Sequence, residues 1–157
     1  MRKQLPKIFV ALAVVCAACA LSPDAGAQRR RPPRARGYTK AEVGVIITRV
    51  ENRSDDFVRN FDAALDRSGL DGTRREDTLN DRARRLERSL DELRREFDRK
   101  ESYLATRPEV SRTLNIAAEI NQVMRRRRMG AETERQWTLL RVELNTLADV
   151  YNLPPLR

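Results

Sequence analysis

The chain has 157 residues, 35% of them charged, with 32 Lys and Arg against 23 Asp and Glu, no His and two Cys. Without His, the Glu-x-x-His pairs of di-iron bundles and the imidazole base of hydrolytic triads are excluded. The +9 net charge bears on solubility and on attraction to anions, and it names no partner by itself.

Residues 1–27 have the layout of a secretory signal peptide. Arg2, Lys3 and Lys7 make a positive start, residues 8–21 form an apolar run of 14, and Ala25-Gly26-Ala27 offers a small-x-small cleavage site. A spanning helix needs roughly 20 apolar residues, so the run is short for a retained anchor. Both cysteines, Cys16 and Cys19, lie inside it. A lipid anchor on Cys19 would need a leucine-like residue where Cys16 stands, and small apolar leader positions explain both thiols. Past residue 27 there is neither Cys nor His, which removes the usual zinc sites and any disulfide framework. Cleavage would take Arg2, Lys3, Lys7 and Asp24, lowering the net charge to +7. The remaining cations are Arg except Lys40 and Lys100. Guanidinium forks suit carboxylates and phosphates, although an Arg-rich and Ala-rich coding bias gives the same composition. The expected location is the periplasm or the exterior.

Residues 28–38 open with QRRRPPRARG, whose Pro pair and lack of large apolar side chains predict a disordered basic arm. Arg29, Arg30, Arg31, Arg34 and Arg36 are candidate polyanion contacts there, and the same run reads equally as a solvated linker.

Residues 39–153 read as an all-α domain: an antiparallel four-helix bundle with a long, coiled-coil-like first hairpin. The predicted helices span about 40–68, 74–105, 108–128 and 133–151, with 154–157 as a tail. Thr39 and Glu42 form a capping box. Val43, Ile47, Val50, Ser54, Phe57, Phe61 and Ala64 then recur at spacings of four and three, a heptad seam. Thr73 and Glu76 cap the second helix, whose seam is Leu79, Ala83, Leu86, Leu90, Leu93, Phe97 and Leu104. Asp81–Arg85, Asp91–Arg95 and Glu96–Lys100 place acid four residues before base on its solvated side. Pro108 suits the first turn of a third helix, striped by Val110, Leu114, Ala117, Ile120 and Met124. Gly130 is expected to cap that helix at its C-terminus. A third capping box, Thr133 with Gln136, would open the fourth helix, striped by Trp137, Leu140, Leu144, Leu147 and Tyr151. Two helices of about 45 Å joined to two of about 30 Å predict that the first hairpin, around residues 59–86, projects beyond the rest.

No catalytic, cofactor-binding or metal-binding residues emerge, and no Gly-rich phosphate loop is present. The expectation is therefore a non-enzymatic interaction or structural module, with another envelope protein or a second copy as partner. The alternative is a binder of anionic lipid headgroups or cell-wall polymer through the arm and Arg125, Arg126, Arg127 and Arg128. Four successive helical residues step by about 100° each, so these arginines share a patch only if the helix frays. As a capping run they would simply oppose the helix dipole. Trp137 and Tyr151 read as core plugs with polar tips at the rim, or as a partner-facing groove. A holdase chaperone would share the fold and would need an exposed apolar patch. Export argues against nucleic acid as a physiological partner.

Overall fold

The computed structural model describes residues 37–69 and 71–157. The signal peptide over 1–27, both cysteines and the arm's five arginines lie outside the described residues. What is described is all-helical: α1 (Lys40–Asp66), α2 (Arg74–Arg99), a short 3-10 turn (Tyr103–Thr106), α3 (Arg107–Arg126) and α4 (Ala131–Val150), with no strand among the described residues.

The first two helices start where local chemistry says they should. Thr39 Oγ1 accepts from the Glu42 N–H at 3.2 Å, while the Thr39 N–H donates to the Glu42 carboxylate at 2.8 Å. Thr73 accepts from the Glu76 N–H, and the Glu76 carboxylate reaches the Gly72 N–H at 2.7 Å. Gly72 has φ +70°, a conformation that glycine adopts without a Cβ penalty. At the far end, Asn152 has φ 50°. Its N–H bonds to the Asp149 carbonyl and that of Leu153 to the Ala148 carbonyl, a Schellman closure of α4.

The apolar stripes of all four helices meet in one core. Phe57, Phe61 and Trp137 stack at its centre, with ring centroids 5.2 and 5.1 Å from Phe57. Each fully buried side chain of this size stabilises the fold by about 1.5–3 kcal/mol. On α1 the buried edge passes from Phe61 to Leu65, leaving Ala64 half-buried. A straight helix at 3.6 residues per turn drifts off a strict seven-residue repeat in just this way.

Each helix packs mainly against two neighbours, α1 on α2 and α4, α3 on α2 and α4. Polar pairs mark the register. Arg49 meets Glu143 at 3.0 Å while Thr133 Oγ1 donates to the Asn60 carbonyl at 3.2 Å, so numbers rise on α1 as they fall on α4. Arg94 binds Glu51 at 2.6 Å and Thr48 at 2.7 Å across α2 and α1. Arg85 reaches Glu119 at 3.1 Å and Arg112 reaches Glu92 at 3.0 Å across α2 and α3.

Several sequence expectations are corrected. The Asp81–Arg85 pair is not formed, because Arg85 turns to Glu119 of α3 instead, and Asp91–Arg95 is not formed either; Glu96–Lys100 is formed at 3.3 Å. The second helix ends at Arg99 rather than near 105. Lys100 takes extended backbone angles, its ammonium bonds to the Ala105 carbonyl and Glu109, and Lys40 bonds to its carbonyl at 2.6 Å. The chain therefore turns, Leu104 is 56% exposed, and Thr106 and Tyr103 face inward in its place. The Thr133–Gln136 box does not form: α4 begins at Ala131, which puts Thr133 inside the first turn with its hydroxyl on Asn60. The hairpin does not stand free either. Phe61, Leu65, Leu79 and Ala83 are all buried. Arg127 is extended (φ −133°, ψ 143°), so the chain beyond α3 advances by up to ~3.3 Å per residue instead of 1.5 Å, and Met129 in that stretch is buried in the core.

Candidate functional site

The last turn of α3 carries Arg125 and Arg126, cations placed where the helix dipole is negative. Helical geometry stops there. Arg127 is extended, and Gly130 at φ +90° and ψ 147° reverses the chain into α4, a backbone that essentially only glycine takes up. Two helical arginines followed by two non-helical ones do not fan around an axis. Instead Arg125, Arg126, Arg127 and Arg128 line a cleft of about 340 Å³ together with Arg141 of α4.

A second cleft of about 720 Å³ shares Arg126 and Arg127 and is closed by Arg75 and Arg82 of α2. Arg126 and Arg127 thus line both concavities. Each also holds one carboxylate, already engaged: Glu134 with Arg128 at 3.8 Å, and Glu119 with Arg82 at 3.8 Å and Arg85 at 3.1 Å. Arg125 donates to the Arg157 carbonyl at 3.5 Å. Among the described residues, Arg75, Arg126, Arg127 and Arg141 form no ion pair. Four cations without partners around two adjoining clefts repel one another, and an anion placed between them relieves that repulsion.

Of the sequence candidates, the structure brings the four arginines of the 125–128 run together. The five arginines of the arm lie outside the described residues. Trp137 and Tyr151 are core residues, 4% and 2% exposed, so neither offers its ring to a partner. The Trp137 indole N–H donates to Asn121 Oδ1 at 3.1 Å, and the residue is among those lining the first cleft. The Tyr151 hydroxyl pairs with Thr106 Oγ1 at 2.9 Å, and its ring meets Tyr103 edge-on. Burial pushes its phenol pKa up, with the Thr106 bond opposing. Arg75, Arg82 and Arg141 were not singled out in sequence. Their membership depends on which helix ends adjoin, and no spacing rule reports that.

The other perturbed carboxylates lie elsewhere. Glu87 on α2 is raised by burial, then by Asp55 and Asp91, with Arg84 and Arg88 opposing. Glu96 is held low, chiefly by the Arg99 hydrogen bond. Among the described residues no group of His, Cys, Asp and Glu is arranged to hold a metal ion, and no helix is long and apolar enough to cross a membrane. Comparison of the chain with protein-family models, with curated proteins and with solved structures found no match.

Proposed function

We propose that the protein is an exported, non-catalytic antiparallel four-helix bundle that binds an anionic component of the cell envelope through the arginine-lined end of α3. The observation that carries this reading is the pair Arg126 and Arg127, which have no ion-pair partner among the described residues and line both clefts. Apolar recognition has less to draw on. Among the described residues the exposed large apolar side chains are Val45, Leu104 and Val142, on three different elements, whereas a holdase needs a contiguous patch of several hundred Å². The apolar run at residues 8–21 supports export, and the arm at residues 28–38 adds charge to the same chain.

The test is retention of the full chain on phosphorylated cellulose in a salt gradient. Arg126→Gln with Arg127→Gln should weaken binding roughly tenfold or more, the scale of one lost charge-assisted hydrogen bond at about 1.5–3 kcal/mol. A control pair of equal charge, Arg84→Gln with Arg95→Gln, should elute close to the parent. Equal losses from both pairs would mean diffuse attraction and no site.

A further inference from the structure

We infer that the ligand is a flexible chain of repeated phosphate groups without bases, draped over the α3 end so that phosphates occupy both clefts at once. This rests on the anion-binding reading above and specifies its ligand. Three observations lead to it.

The first is the shared lining. Arg126 and Arg127 serve both clefts, so a single small anion held by them fills one side and leaves the far arginine of the other unmet. A chain that passes over both residues meets Arg75 on one side and Arg141 on the other. The second is direction. The donors come from three elements: Arg75 and Arg82 from α2, Arg126 and Arg127 from the end of α3, and Arg141 from α4. A planar carboxylate is satisfied by one fork, whereas a tetrahedral phosphate presents oxygens to several donors at once. The third is the lining. Single-stranded nucleic acids are held by aromatic rings that stack on bases. The aromatic residue in these clefts is Trp137, whose ring is buried under Phe57 with its indole N–H committed to Asn121. Phosphates find partners here, and bases do not.

Occupancy of two linked sites should raise affinity by about 10²-fold or more over one, and Trp137, the sole tryptophan, reports directly on the first cleft. The experiment titrates the full chain with long-chain inorganic polyphosphate, orthophosphate, polyglutamate and phosphatidylglycerol vesicles, following Trp137 emission and affinity by calorimetry. Arg75→Gln alters only the second cleft and Arg141→Gln only the first. The expected result is polyphosphate bound about 10²-fold tighter than orthophosphate, with each variant losing about tenfold and Arg75→Gln retaining the emission change. Polyphosphate affinity indifferent to Arg75→Gln would overturn the two-cleft mode. Polyglutamate or vesicles binding as tightly as polyphosphate would overturn the phosphate-chain assignment. Failure to bind any of the four would instead overturn the anion-binding reading beneath it.

Discussion

Glu87 shows how a single side chain records its surroundings. Its carboxyl is raised by burial first, and then by Asp55 and Asp91. A folded pKa above the unfolded one means that the fold disfavours the ionised form. The group therefore detracts from stability at neutral pH, and that loss disappears as pH falls through the folded pKa and below the unfolded value of about 4.3. Glu87→Gln should accordingly shift the urea midpoint upward at pH 7, modestly because the site is half-exposed, and the gain should vanish near pH 3. A gain that persists at pH 3 would point to packing instead of charge. Nothing in the spacing of α2 marks Glu87, because Asp55 comes from the neighbouring helix. The 125–128 arginine run, by contrast, is visible on any reading. Its shared cleft is not, since that depends on where α3 unwinds.

The elements divide along the same line between local and distant causes. Thr39 with Glu42 forms the box that its spacing predicts, and the same spacing at Thr133 and Gln136 does not. The difference is Asn60, whose carbonyl takes the Thr133 hydroxyl and rewards a helix begun two residues earlier. The second helix stops at Arg99 with neither Gly nor Pro to stop it, because two ammonium groups hold the turn beyond it. Gly130 was legible as a breaker but not in its true place, as the residue that opens α4. Its backbone conformation excludes a Cβ, so Gly130→Ala should cost about 1–3 kcal/mol in urea unfolding. Gly69→Ala, where an added Cβ meets nothing within 4 Å, should stay within about 0.5 kcal/mol of the parent. Similar losses at both glycines would refute the assignment of strain to Gly130.

On the scale of the molecule, four amphipathic stripes close on one core, and the stripe positions were readable because helical periodicity is a local property. Their pairing was partly readable, since short connections leave few choices of neighbour. Leu86 on α2 and Leu144 on α4 are both 0% exposed in that core. Replacing either by Ala should cost about 2–5 kcal/mol while leaving a single unfolding transition by circular dichroism; two separate transitions would show that the halves fold independently. The distribution of cations across this core has one more consequence. Between residues 37 and 157 the only lysines are Lys40 and Lys100, the first tied to the Lys100 carbonyl at the C-cap of α2 and the second to the Ala105 carbonyl in the turn beyond it, whereas Arg75 and Arg82, which line the second cleft, belong to the N-terminal half of α2. Acetylation neutralises amines and leaves guanidinium charged. The cleft end therefore carries a positive charge that no acetyltransferase can erase.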